Sequence, residues 1–344
     1  MIKYIWHRII LIIISLILIL SINFFFLYLM PGSPFTNPKL TSDQRERMEE
    51  RYGLNDPILV QYGRYMYRVT KLDFGGTIAS NTYKDIYRDY IRERVPLTAQ
   101  IGLTALTIGT VIGITLGAIA AIKRNTAIDN ILTAVGVLGV SIPSFVFAAF
   151  LQQIFAINNQ ILPLTFTRAD PELGYTLLDQ YKGLIMPIIA LSVGPIASIM
   201  RYMRTELVEV LNTDYILLAR SKGLSKTSVI IKHALRNALI PVITILGPMS
   251  IGLITGTLVI EQFFSIPGLA MNLVNFTQSK ETYATLGINF FYSLMYVVVI
   301  LFVDILYGII DPRIRIAKNT KEGFILKFFR KIAVKMKTKF NWGD

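Results

Sequence analysis

Six stretches of the chain, 9–30, 97–122, 131–167, 183–200, 237–260 and 282–303, carry no charged residue. The first alone makes roughly 33 Å of helix at about 1.5 Å per residue, enough to cross the hydrocarbon of a bilayer. Backbone in hydrocarbon must satisfy its own hydrogen bonds, so each span is expected to be helical. The pattern predicts an all-α integral membrane protein with six transmembrane helices. The third run is longer than one span needs. Only 17% of residues are charged and mean hydropathy is +0.52, as such a protein requires.

The remaining charges are sorted by side. Of the net +13, residues 1–8 carry +2, 123–130 carry +1, 201–236 carry +4 and the tail from 311 carries +7. The alternate segments 31–96, 157–182 and 261–281 carry +2, −1 and −1. With an even number of spans the four basic segments share one face. The positive-inside rule makes that face the cytoplasm, with both termini on it. The excess then reads as topology and attraction to anionic membrane lipid, not nucleic-acid binding, for which no soluble basic domain exists. The first run is too long for a signal-peptide core and "LYLMPGSPF" has no small-residue cleavage site, so a retained helix is expected. Cysteine is absent, and His7 and His233 are the only histidines. No disulfide, thiolate metal site, zinc or haem is expected.

Four regions follow: 1–30, the N-terminal cytoplasmic end and first span; 31–96, an extracytoplasmic segment with short helices; 97–312, a five-helix core that includes the cytoplasmic loop 201–237; and 313–344, a basic tail, either amphipathic on the inner leaflet or unstructured. In "NDPILVQYGRYMYRV", Asp56 is placed as an N-cap with Pro57 first in the helix. Ile58, Leu59, Tyr62, Met66 and Val69 share a face that would lie on the membrane or the bundle. Gly75-Gly76 is expected to stop this helix, and "TYKDIYRDYIRERVP" to form a second one entering the second span. The segment reads equally as a surface loop or as a docking site for an external partner.

Gly109, Gly113, Gly117 and Ala121 recur every four residues, and Gly252 and Gly256 repeat the spacing. Small residues in lipid let helices approach closely. Packing within the chain is the plainer reading, contact with another subunit the other. Pro143, Pro187, Pro195, Pro241 and Pro248 interrupt spans and permit kinks. Asp304 is the one acid expected inside a span, readable as a proton or ion site or as a structural hydrogen-bonding group. With no second acid expected there, an ion-coupled carrier is the weaker rival. No nucleophile–base pair or HExxH is visible, which leaves a membrane enzyme without chemistry.

The most patterned segment lies outside the spans. In "LLARSKGLSKTS", 217–228, two helical pieces meet at Gly223, with Arg220, Lys222 and Lys226 around it. Asp214 can cap the incoming helix, and Gly223 sits where a left-handed C-terminal residue belongs. Ser225 is the N-cap of the next helix. This is a helix–glycine–helix elbow with a basic rim, suited to docking.

"DYILLARSKGLSKTSVIIKHALRNALIPVIT" resembles the cytoplasmic loop of B-type permease subunits of bacterial dipeptide, oligopeptide and nickel ABC importers. "HRIILIIISLILILSINFFFLYLMPGSPF", "YGLNDPILVQYGRYM", "LDFGGTI", "GVSIPSF", "VIEQFFSIPGLA" and "VDILYGIIDPRIR" are similar too, in the same order, to about Arg315. Leu217 and Leu218 depart from the Glu-Ala of the general importer loop, while Ala219 and Gly223 match it. Arg236 stands where the C-type partner usually has proline.

The resemblance implies a type I ABC importer permease architecture in the bacterial cytoplasmic membrane, forming half of a pathway for peptides. It implies a C-type permease, two ATP-binding subunits and an extracytoplasmic substrate-binding protein as partners. A nickel or metal-chelate substrate stays open. No GxxxxGK[ST] occurs, so ATP and Mg are expected on the partner ATPases, with no cofactor in this chain. The resemblance places the ATPase-coupling loop at Asp214, Ala219, Arg220, Lys222, Gly223, Leu224 and Ser225, with Gly223 as hinge. Rigid-body rocking would then open the path alternately.

Overall fold

The computed structural model describes residues 2–30, 42–74 and 85–310. The Gly75-Gly76 stop, "PGSPF" and the basic tail lie outside them. In chain order the helices are α1 (Ile2–Leu29), α2 (Ser42–Tyr52), α3 (Ile58–Thr70), α4 (Arg92–Ile122), α5 (Ala127–Ser141), α6 (Ser144–Leu151), α7 (Leu177–Leu211), α8 (Asp214–Ser221), α9 (Lys226–Ser228), α10 (Leu235–Thr244), α11 (Leu246–Phe263), α12 (Leu269–Gln278) and α13 (Thr282–Ile310). Wider π turns at Ile86–Ile91, Gln152–Asn158 and Val229–Ala234 lead into α4, extend α6 and join α9 to α10.

Four helical segments are each long and apolar enough to cross a membrane: Ile9–Leu29, Ile86–Ile122, Leu177–Leu211 and Thr282–Leu306. A fifth is the pair Ala127–Ser141 and Ser144–Asn158, bent by 105°. The bend explains the surplus length of the third apolar run. Pro143 forces its predecessor out of the helical region, and Ile142 is extended at φ −85°, ψ 121°. The remaining run forms α11, reached from α10 across Ile245. This architecture is consistent with six spans. The fourth run grows at both ends into the 35-residue α7, whose last turns carry the basic loop away from the apolar band.

The largest seam joins α4 to α7, and the glycine stripe makes it possible. A Cβ on Gly109 would sit 2.4 Å from the Pro195 Cβ, one on Gly113 2.8 Å from the Ile199 Cβ, and one on Gly117 2.5 Å from the Met200 carbonyl oxygen. Ala121 ends the stripe, buried. The stripe is spent on packing within the chain. Gly252 behaves differently, since a Cβ there meets nothing within 4 Å.

Three local expectations are corrected. Asp56 does not cap α3; its carboxylate pairs with Arg64, and Pro57 occupies the N-cap with no side-chain bond. The α3 face packs on the bundle through Ile58, Tyr62, Met66 and Val69, while Leu59 is 71% exposed and Gln61 and Tyr65 are the buried residues. The helix ends at Thr70, with Leu72 left-handed at φ +54°. The stretch before the second span is helical from Ile86 and enters that span as expected: Asp85 accepts the Arg88 amide at 2.8 Å and the chain runs on through the π turn into α4. Asp304, half-buried in α13, is also not the sole acid within these helices. Glu261 in the last turn of α11 is fully buried, and so is Asp129 in the first turn of α5.

Candidate coupling site

The elbow begins where α7 loses its register. Asn212 and Thr213 interrupt the helix, and the Thr213 hydroxyl turns back to donate to the Val210 carbonyl at 2.6 Å. Thr213 therefore holds the N-cap position of α8 without a side-chain cap bond, and Asp214 is the first helical residue. The expected Asp214 cap is corrected by one residue, leaving its carboxylate in the first turn, where the helix dipole favours it.

The exit of α8 is built by two hydrogen bonds. The Gly223 amide donates to the Arg220 carbonyl at 2.9 Å, and the Leu224 amide to that of Ala219 at 3.4 Å. With Lys222 as the C-cap, these are the paired bonds of a Schellman turn, which needs a left-handed residue at the next position. Gly223 supplies it at φ +77°. Nothing lies within 4 Å of a Cβ built there, so the demand for glycine is conformational and not steric. Two residues later the Ser225 hydroxyl accepts the Ser228 amide at 3.4 Å and starts α9. Through the π turn that helix becomes α10, leading directly into α11.

One side of the elbow is packed and the other bare. Ile216, Ala219 and Val229 are buried with Leu207, Ala234 and Ala238. Asn237 donates to the Tyr215 hydroxyl at 2.7 Å, tying α8 to α10. The opposite side presents Leu217, 63% exposed, and Leu218, 56% exposed, with Leu224 nearby. Asp214, Arg220, Lys222, Gly223 and Ser225 are exposed beside them. Ala219 is the exception among the residues expected at the surface, because it faces the core and spaces α8 from its support. The structure thus brings these residues to one projecting elbow. The apolar Leu217–Leu218 pair, read from the sequence only as a departure, is exposed on that face.

Two of the buried carboxylates, Asp129 and Glu261, escaped the sequence reading. Asp129 accepts from Arg204 Nε and, at 2.8 Å, from Arg204 Nη2. Glu261 accepts the Thr98 hydroxyl at 2.6 Å and the Ala270 amide at 2.9 Å. Both acids stand at the edge of an apolar run, where a charge reads as the boundary. Between the bent pair, α7 and α11 lies a cavity of about 270 Å³, lined by Gly139, Ser144, Gly194, Ser198 and Gly252 among others.

Residues 113–316, which contain the whole elbow, match the family of binding-protein-dependent transport system inner membrane components. Residues 1–100 match the N-terminal part of such membrane components. The chain belongs to this permease family. It is 40% identical over 316 residues to the dipeptide transport system permease protein DppB of Lactococcus lactis subsp. cremoris, covering 92% of this chain and all of the relative. DppB of Bacillus subtilis is 37% identical over 306 residues, 89% of this chain and 95% of that one. The oligopeptide transport system permease protein OppB of Haemophilus influenzae is 38% identical over 317 residues, 92% of this chain and all of that one. Among solved structures, the MetNI methionine ABC transporter in inward-facing conformations matches 64% of this chain and 95% of that chain, at 17% identity and a TM-score of 0.47. As a permease-family member the chain is the membrane component of its transport system and not the ATPase.

Proposed function

We propose that this permease forms half of the translocation pathway of an ATP-driven importer of di- or oligopeptides. A second, C-type permease would complete the pathway, one of two ATPase subunits would bind the elbow, and an extracytoplasmic binding protein would deliver the peptide. The single observation that supports coupling is the elbow itself: a rigid Schellman turn that holds two exposed leucines, with cations beside them, away from the apolar band. An apolar face with a basic rim fits an apolar socket with acidic residues around it. The peptide class is supported by the relatives named above, which are dipeptide and oligopeptide permeases. None of them favours nickel or a chelate, and dependence on a binding protein speaks against an ion-coupled carrier.

In this reading the chain lies in the bacterial cytoplasmic membrane with both termini inside, as the basic segments ask. Segments 1–30, 31–96, 97–312 and 313–344 keep the roles given above, and loop 201–237 carries the coupling residues. ATP and Mg belong to the partner subunits. Reconstitution with the partner permease, both ATPases and the binding protein in vesicles tests the reading through uptake of a labelled tripeptide. Uptake is expected only with ATP inside right-side-out vesicles and binding protein outside them. Uptake on an ion gradient without ATP would overturn it.

A further inference from the structure

The arm that enters the elbow is clamped two turns before it ends. Arg204 lies seven residues before Leu211, the last residue of α7, and reaches sideways to Asp129 at the start of α5. Asp129 is 1% exposed. Besides the two guanidinium bonds, it accepts the Asn125 amide at 3.0 Å and the Thr133 hydroxyl at 3.5 Å. Asn125 is itself left-handed, at φ +61°, in the turn between α4 and α5. One carboxylate therefore joins the α4–α5 turn, the start of α5 and the elbow's incoming arm.

Above the clamp, α5 stays tight on α7. A Cβ on Gly136 would lie 2.5 Å from the Met200 Cε, and one on Gly139 would lie 3.0 Å from the Ala197 Cβ. The seam ends at the Pro143 bend, where Gly139, Val140 and Ile142 reach the cavity shared with α7 and α11. A continuous packed path thus runs from the elbow through Arg204 and Asp129 to the cavity wall. The ion pair is its polar link and the one nearest the elbow.

We propose that Asp129 and Arg204 are a positioning pair that makes α5 move with α7 as one body, so that displacement of the elbow reaches the cavity at the Pro143 bend. This rests on the coupling reading of the elbow. A rigid link is needed because a bilayer-embedded seam of small residues resists compression but has little to oppose sliding. A bidentate pair on a buried carboxylate, with its arginine half-buried, fixes direction as well as distance.

The absence of cysteine makes the test direct. The full importer is reconstituted with Asp129→Asn, Arg204→Gln or Asp129→Cys/Arg204→Cys permease, and labelled tripeptide uptake per ATP hydrolysed is measured. Each single variant, and the double-cysteine protein before cross-linking, is expected to lose about tenfold in uptake per ATP, a size typical of coupling between sites. Bridging the two thiols with a short bifunctional reagent should restore most of it. Unchanged uptake per ATP in the single variants overturns the proposal, as does a bridge that fails to restore uptake. Poor assembly of every pair variant, with normal uptake per ATP in the complexes that form, also overturns it by making the pair purely structural. Gly223→Val is carried in parallel: if it stays coupled, the elbow reading fails, and if it uncouples while the pair variants do not, only this inference fails.

Discussion

Glu261 accepts the amide of Ala270 at 2.9 Å, and so holds the first turn of α12 against the end of α11. Its second oxygen takes the Thr98 hydroxyl at 2.6 Å, and Thr98 accepts the Leu269 amide at 3.0 Å. The two leading amides of α12, orphans by helix geometry, are thus satisfied by side chains from α11 and α4. The carboxyl group also faces the positive end of the helix dipole. Gly268 permits this approach, because a Cβ there would lie 2.2 Å from the Glu261 carboxyl carbon.

Glu261→Ala should therefore strand buried donors and cost about 1–3 kcal/mol of stability. Gly268→Ala is expected to destabilise through the same contact, by pushing the carboxylate off its partners. Thermal unfolding of the purified permease in detergent measures both. A melting temperature unchanged in each variant contradicts the latch.

The α4–α7 seam makes a steric demand. Gly117→Leu drives a side chain into the Met200 carbonyl and the Met203 side chain, and overpacking of this kind costs about 1–3 kcal/mol. Gly252→Ala meets nothing within 4 Å among the described residues and should leave the isolated permease at least as stable. The comparison of the two melting temperatures checks which glycines are used for internal packing.

At the elbow the demand is conformational. Gly223→Val must either adopt the left-handed region, at about 1–2 kcal/mol for an ordinary L-residue and more for a β-branched one, or unwind the Schellman turn. Uptake per ATP should fall while insertion and yield stay normal. Gly223→Asn, which tolerates that region, should keep most of the coupling.

The exposed leucines supply contact and not stability. Leu217→Glu/Leu218→Glu should change the melting temperature little, since surface substitutions usually stay within about 0.5 kcal/mol. Co-purification of the ATPase subunits should be lost. Full recovery of the complex with this variant would move the docking face elsewhere.

The elbow could be read from the sequence because each punctuation mark is local: Gly223 for the turn and Ser225 for the following cap. Asp214 was misplaced by one residue because Thr213, equally able to cap, turned its hydroxyl back to α7. The spans were visible as uncharged runs, and that same criterion hid the two acids that matter. Glu261 and Asp129 ended their runs on paper, yet tertiary partners from α4 and α7 allow both charges to be buried. Likewise the Gly109–Ala121 stripe announced close packing, but only the fold names Pro195, Ile199 and Met203 as what it receives.

A single cysteine at Leu217, in a chain that has none of its own, gives the most direct check on the elbow. In membranes containing the whole importer, oxidation or a short thiol cross-linker should join this position to an ATPase subunit bearing a cysteine at its permease-facing groove. The yield should change when ATP binds, and a cysteine at Leu173, on the 159–176 connection of the opposite side, should give no such product. Absence of the Leu217 product in a complex that still hydrolyses ATP and imports peptide would contradict the elbow as the coupling element.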